Sequence, residues 1–443
     1  MENNTNKQKV TNWGKYPVVD TQMVSTANIQ QLRKLVIESN SIIARGNGHS
    51  YGDNSLNEKN IFSTLRLNKF IDFDKENAIF ECESGVMLND ILEIIVPEGF
   101  FLPITPGTSL ITIGGAIGSD VHGKNNHSEG CFGDYVLDFT IMTETGEIKK
   151  CSRTENSELF WNTIGGMGLT GIVLTARFTL KRIQTAYIRQ RAMKAENLDE
   201  IFKYFDESES WTYSVAWIDC LQKGSKMGRS ILMIGEHATL EELPDKWKKD
   251  PLKPKKKLKL NVPFNFPSFV LNTLTVKAFN FLYYFKQRKK IINNVVDYDS
   301  FFYPLDAIYN WNRIYGKNGF IQYQFIIPKE VGKEGITEAL KTIANSGQGS
   351  FLAVLKLYRK SRPEAHNSFP IDGYSIALDF KINKKLPVLV RDLDEIVERY
   401  GGRIYLAKDA MSKKSLLDYV KVPETGKFSS LQHERIENST KSL

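Results

Sequence analysis

The stretch Ile43-Ala-Arg-Gly-Asn-Gly-His-Ser-Tyr-Gly-Asp-Asn54 runs from an apolar strand end into a loop punctuated by glycine and carrying a histidine, a tyrosine and an aspartate. Glycines at 46, 48 and 52 are expected to turn with positive φ and to bring the backbone close to a bound group with no Cβ in the way. Successive free N–H groups in such a turn form a nest for an anion, and a diphosphate fits it. Residues 103–124 repeat the recipe with Gly107, Gly114, Gly115, Gly118 and Gly123. Two cradles imply a long ligand. A third cluster, residues 165–171, precedes an alternating strand in which Val173, Thr175, Arg177 and Thr179 share one face. The chain has neither a Walker A sequence nor a GxGxxG that follows a strand and opens a helix, so the P-loop and Rossmann readings lose their support.

Outward from these loops, residues 27–40 and 86–96 place apolar side chains at helical spacing, the second with Leu88, Ile91, Leu92 and Ile95. Strands are expected at 42–44 and 78–82, and a hairpin at 135–143 and 147–152 around Glu144-Thr-Gly146. Helix and strand mix without a regular βαβ rhythm, which points to α+β. After about residue 184 the glycine loops stop and longer β-like segments follow, at 319–328 and 374–382, with a helix at 388–400. At 443 residues, 41% hydrophobic and 25% charged, the chain reads as a soluble protein of two domains.

The net charge of +8 is concentrated rather than laid along a nucleic-acid recognition module, so nucleic acid is not an expected partner. Lys246-Trp-Lys-Lys249 and Lys253-Pro-Lys-Lys-Lys-Leu-Lys259 precede the aromatic run 262–269, and Lys286-Gln-Arg-Lys-Lys290 follows a second one at 279–285. An anionic membrane surface attracts such clusters by roughly 1 kcal/mol per cation, though a solvated lysine loop has the same composition. Lys277 and several asparagines interrupt the apolar stretch, which falls short of the ~18 residues of a span. Peripheral contact is the expectation. Cys82, Cys131, Cys151 and Cys220 show neither metal-ligand nor CxxC spacing, so no metal is expected and reduced thiols suit a cytoplasmic protein. Residues 1–10 are polar and lack the apolar core of a signal peptide.

Arg45-Gly-x-Gly-x-Ser-Tyr-Gly-Asp-Asn54, Pro106-Gly-Thr-x-x-x-Thr-x-Gly-Gly-Ala116, Asp120-x-His-Gly-Lys124 and Glu158-Leu-Phe-Trp161 together resemble the decaprenylphosphoryl-ribose 2-oxidase family, a branch of the vanillyl-alcohol-oxidase (PCMH) type of FAD proteins. The likeness continues in order through Tyr213–Trp217, Trp311–Gly316, Gly319–Phe325 and Gly402–Asp409. It implies a PCMH-type FAD-binding domain over 1–184, an antiparallel-sheet substrate domain over 185–402, and a return to the first domain over 403–443. By the same resemblance FAD would contact Ala44, Arg45, Gly46, Asn47, Gly48, His49, Ser50, Tyr51, Gly52, Asp53 and Asn54. It would also meet Gly107, Thr112, Ile113, Gly114, Gly115, Ser119, Asp120, Val121, His122, Ile172 and Tyr405. Lys124, Trp217, Gln322, Gln324, Lys356 and Lys408 would face the substrate, with Lys408, Tyr51 and His122 as the catalytic candidates.

Three departures stand out. Relatives in that family carry an arginine where this chain has His49, and Gly-His-Ser resembles the motif by which aldonolactone, alditol and related oxidases attach FAD covalently through histidine, so His49 is expected either to be bonded to the flavin 8α carbon or to hydrogen-bond within the loop. A cysteine often present beside the substrate pocket is Ala377 here, and the tail after Val422 diverges.

Each singled-out residue also has a plainer reading. Lys408 reads alone as a surface lysine, His122 as a loop histidine, Trp217 and Trp311 as core aromatics, and Asp53 as a loop brace. Gln322 and Gln324 lie two apart on a strand and so share a face, suited either to sugar hydroxyls or to solvent. The resemblance implies FAD-dependent oxidation at the 2-position of a polyprenyl-phosphate-linked pentose in cell-envelope polysaccharide synthesis. That step is the first half of an epimerisation completed by a separate nicotinamide-dependent short-chain reductase. The alternatives are an alditol or aldonolactone oxidase using dioxygen and a non-catalytic flavin- or glycolipid-binding protein.

Overall fold

A computed structural model describes residues 7–254, 258–413, 416–417, 419–421 and 426–438. The first six residues of the polar lead-in, residues 255–257 of the second lysine cluster, and residues 422–425 and 439–443 of the divergent tail lie outside the described residues.

The architecture is α+β and rests on three main sheets. A four-stranded sheet takes the order Gln8–Thr11, Val18–Val24, Asn60–Ser63, Ile43–Arg45, so the first glycine loop leaves from a sheet edge. A five-stranded antiparallel sheet takes the order Phe70–Asp74, Ile79–Glu83, Ile172–Thr179, Val136–Met142, Ile148–Ser152. The expected hairpin is its last pair. Helix Leu88–Ile95 buries Leu88, Ile91, Leu92 and Ile95 beside this sheet, as their spacing requires. Helix Ile29–Glu38 starts where Asn28 accepts from the N–H groups of Gln30 and Gln31, two of the donors a helix start leaves unpaired.

The third sheet is antiparallel and eight-stranded, in the order Ile291–Asp297, Tyr187–Ala195, Ser230–His237, Tyr213–Ile218, Ala353–Tyr358, Gly373–Lys381, Phe320–Pro328, Arg403–Ile404. Its strands alternate between two environments. Ile321, Tyr323, Phe325 and Ile327 join Ile376, Leu378, Leu355 and Leu357 against Ile336, Leu340 and Ile343 of helix Gly332–Ser346 and Leu389, Leu393 and Val397 of helix Leu386–Arg399. Gln322, Gln324, Val354, Lys356, Ser375 and Ala377, which alternate with them, point the other way, into a large cavity. That alternation puts Trp217, Lys356, Ala377, Gln322 and Gln324, from four adjacent strands, on one wall.

After Ile404 the chain crosses back to the first sheets. Tyr405 Oη donates to Ser119 O at 2.8 Å, Ile42 bridges Phe428, and Leu431 N–H donates to Leu56 O at 2.8 Å.

Candidate functional site

The glycine loops and the eight-stranded sheet enclose a cavity of about 800 Å³. Of the three glycines in the first loop, Gly48 alone has positive φ, at +66°. The other two are required by close approach instead: a Cβ on Gly46 would collide with Thr112 Oγ1, and one on Gly52 with the carbonyl oxygen of Asp409. The first loop is thus pressed against the second loop on one side and against the returning C-terminal segment on the other. Thr112 caps helix Ile113–Gly118 by accepting from Gly115 N–H at 3.2 Å, which fixes the second loop.

Most of the residues expected to touch a cofactor line this cavity: Ala44, Gly46, Asn47, Gly48, His49, Ser50, Tyr51, Asn54, Gly107, Thr112, Gly114, Gly115, Ser119, Val121, His122 and Tyr405. Six stand behind the wall. Arg45 holds Thr11 O at 2.9 Å and Asn12 Oδ1 at 3.3 Å. Gly52 is packed on Asp409, and Asp53 pairs with Arg435 at 3.1 Å. Ile113 and Ile172 are buried in apolar clusters. Asp120 accepts from Gly133 N–H at 2.8 Å and from Ser368 Oγ.

Three polar side-chain atoms in the cavity wall are buried with no partner among the described residues: Ser84 Oγ, His49 Nε2 and His122 Nδ1. Buried polar groups are rarely left unpaired, so the chamber is built to receive a polar ligand. His49 Nδ1 contacts Asn47 O at 3.2 Å and its ring stacks on Trp13, centroids 4.5 Å apart. Burial pushes its pKa down to about 4, despite the bond to Asn47, so the imidazole is neutral at pH 7. Gln324 Nε2 donates to His122 Nε2 at 3.1 Å, which leaves the proton of the neutral ring on Nδ1. Burial holds His122 well below the ordinary histidine range.

The substrate-side candidates all reach the same cavity. Lys124, Lys356 and Lys408 are half-buried on its wall, and desolvation lowers them to about 7, about 8 and about 7. Lys124 Nζ donates to Phe302 O at 3.1 Å and lies over the Phe301 and Phe302 rings. Among the described residues the carboxylate that favours the charged form of any of the three is Asp379, acting on Lys408. Asp379 is itself buried and raised to about 7 by desolvation, and it accepts from Gln322 Nε2 at 2.6 Å and Tyr315 Oη at 3.1 Å. Burial raises Tyr51 well above the ordinary phenol range, so it keeps its proton.

The sequence reading did not single out Trp13, Ser84 or Asp379. Trp13 and Ser84 carry no local motif. Asp379 had a signal in its place on the Gly373–Lys381 strand, two residues from Ala377 and therefore on the same face.

A glycine-lined cradle joined to a chamber that carries three lysines and two imidazoles with a ring nitrogen unpartnered among the described residues is the arrangement of a flavin enzyme. The chain matches the FAD binding domain family over residues 21–152. It is an FAD-dependent oxidoreductase acting on CH–OH groups. It is 37% identical over 415 residues to decaprenylphosphoryl-beta-D-ribose oxidase from Mycolicibacterium smegmatis, an overlap of 92% of this chain and 90% of that protein. The chain belongs to that family. It is also 24% identical over 210 residues to L-gulonolactone oxidase from Mus musculus, covering 46% of this chain and 47% of the relative. A shorter match, 34% over 128 residues, is to D-lactate dehydrogenase from Anaerostipes hadrus, covering 28% and 26%. No described helix is long and apolar enough to cross a membrane.

Proposed function

We propose that this enzyme oxidises the 2-hydroxyl of a pentose carried on a polyprenyl phosphate, giving a keto sugar that a separate nicotinamide-dependent reductase reduces from the other face. Residues 1–184 and 403–443 would hold FAD and residues 185–402 the substrate. The observation that carries this reading is the set of three half-buried lysines in one chamber that have, among the described residues, a single carboxylate acting on them, Asp379 on Lys408. Desolvated cations need an anion, and a sugar phosphodiester supplies one.

FAD, when bound, accepts the hydride from the sugar carbon. Lys124 and Lys356 bind the phosphate. Gln322 and Gln324 hold the sugar hydroxyls, and Trp217 closes one side of the ring. Lys408 Nζ, with its pKa near neutrality, takes the hydroxyl proton. Tyr51 and His122, which keep their protons on Oη and Nδ1, serve as donors. Anaerobic mixing of holoenzyme with a short-chain prenylphosphoryl-β-D-ribose tests the reading: the yellow colour bleaches. Colour that persists with this donor but bleaches with free alditols or aldonolactones would assign the enzyme to the dioxygen-using class.

His49 gives that second reading one specific support. Its Nε2 is buried, neutral and unpartnered in the cofactor cavity, as required of an imidazole that attacks the flavin 8α carbon. With FAD bound, His49 Nε2 would be the residue to hold the flavin ring through an N–C bond made at the expense of a C–H bond of that carbon, the proton going to solvent and the electron pair to the flavin, with dioxygen as final acceptor. Acid-precipitated protein would then keep its yellow fluorescence on a denaturing gel, and His49→Arg would lose it while still binding FAD.

A further inference from the structure

Helix Thr273–Lys286 is packed with its polarity reversed. Its buried residues are Val276, Asn280 and Tyr284, four apart on one face. Two of them make polar bonds to the eight-stranded sheet and its loops: Asn280 Nδ2 donates to Asp219 Oδ1 at 2.8 Å, and Tyr284 Oη to Ala195 O at 3.2 Å. A second face, Phe279 and Tyr283, lines the chamber. The third face is apolar and bare. Leu274 is 75% exposed, Leu282 67%, Phe281 52% and Phe285 49%. Just before the helix Phe264 and Phe269 are likewise uncovered.

Contiguous exposed apolar surface of this kind marks a contact face. Charge identifies the contact. Residues 251–296 contain ten Lys and Arg and no Asp or Glu, more positive charge than the +8 of the whole chain. Lys259, Lys277, Lys286, Arg288 and Lys289 are exposed. A second copy of the chain would set these cations against each other. An anionic bilayer offers apolar depth and negative charge in the same place.

We propose that this helix is the membrane-docking element, seated on an anionic phospholipid surface. The inference rests on the lipid-linked substrate reading for its purpose but not for its test. One helix then has three tasks, one per face: Asn280 and Tyr284 latch it to the sheet, Leu274, Phe281 and Leu282 enter the lipid, and Phe279 and Tyr283 border the route into the chamber. The polyprenyl tail stays in the bilayer while the sugar phosphate reaches Lys124 and Lys356.

Holoenzyme is floated with vesicles of phosphatidylcholine alone and of phosphatidylcholine and phosphatidylglycerol at roughly three to one. The wild type floats with the anionic vesicles and dissociates in high salt. Lys286→Glu/Lys289→Glu lowers binding roughly 25-fold or more, at about fivefold per cation removed. Leu274→Ser/Leu282→Ser lowers it by at least about tenfold. Both double variants retain turnover of a water-soluble short-chain substrate. Failure of the wild type to float, binding unchanged in both variants, or a dimer that both variants abolish overturns the proposal. Vesicle binding by an enzyme inert toward the soluble substrate supports the docking face and overturns the substrate reading instead.

Discussion

Lys408 Nζ stands 3.8 Å from the centroid of the Tyr51 ring, so a residue of the returning C-terminal segment closes over one from the first glycine loop. The contact is held from both sides. Tyr51 N–H donates to Ala407 O at 3.3 Å and Ser50 Oγ to the same carbonyl at 3.0 Å. Desolvation lowers Lys408 to about 7 while Asp379 raises it in part, so the amine is divided between its two forms at neutral pH.

Lys408→Met removes that proton acceptor and keeps the apolar stem over Tyr51. Flavin content is expected to stay at the wild-type level, because the backbone of Ala407 and the glycine loops are untouched. Turnover is expected to fall by about 100- to 10,000-fold, the usual worth of a positioned acid or base. Absorbance per mole of protein and rapid-reaction bleaching read the two separately, and undiminished bleaching removes Lys408 from the mechanism.

The lysine set makes substrate binding pH-dependent, with a definite sign. In the free site Lys124 and Lys356 titrate at about 7 and about 8, well below ordinary lysine. A bound phosphodiester favours their charged forms and raises both values. Binding at pH 8 therefore takes up protons, and affinity falls as pH rises through the range from about 7 to about 8. Well below that window both amines are already charged, and the uptake vanishes. Calorimetry of the holoenzyme in two buffers of different ionisation enthalpy measures the uptake, and identical heats in both at pH 8 would contradict the assignment.

Arg435, near the end of the described chain, meets Asp53 at 3.1 Å and Asp409 at 2.5 Å, while Asp53 and Asp409 are buried. Burial, and to a lesser degree the neighbouring Asp409, raise the Asp53 carboxyl, and Arg435 opposes this. Arg435→Ala leaves two adjacent buried carboxylates without a cation. The expected cost is about 2–3 kcal/mol, toward the low end for a broken buried pair because the Arg435 side chain keeps 30% exposure. Urea unfolding followed by tryptophan and by flavin fluorescence tests it, and the flavin signal is expected to be lost first, since Asp53 braces the first glycine loop.

How much of this was legible beforehand follows from the range of each interaction. The helix at 86–96 could be read because its apolar residues repeat at the local period and are buried at that period, and the strand at 319–328 because it is a run of β-branched and aromatic residues. Gln322 and Gln324 were legible as a shared face once that run was read as a strand. Helix Thr273–Lys286 was not: its apolar residues lie largely on the exposed side and Asn280 lies inside, so periodicity gave no core face. The pairing of Arg435 with Asp53 and the stacking of Trp13 on His49 join residues far apart in sequence or outside any motif. Gly46 and Gly52 were recognised as necessary, but the reason, contact with Thr112 and Asp409, is tertiary.

Ala377 offers a test of the chamber that needs no substrate. It lies opposite Gln324 and Val354 in the strand register and forms part of the cavity wall. The four native cysteines are free and buried, and burial raises their thiols, so little thiolate forms at neutral pH. Folded wild-type enzyme is therefore expected to resist small thiol alkylators. Ala377→Cys adds a thiol facing open cavity space among Lys356, Gln322 and Gln324, where neighbouring ammonium groups favour the thiolate. Intact-mass measurement is expected to show one label on the variant and none on the wild type. A substrate analogue carrying the phosphodiester is expected to block labelling, whereas labelling at the same rate with the analogue bound would place the ligand elsewhere than against this wall.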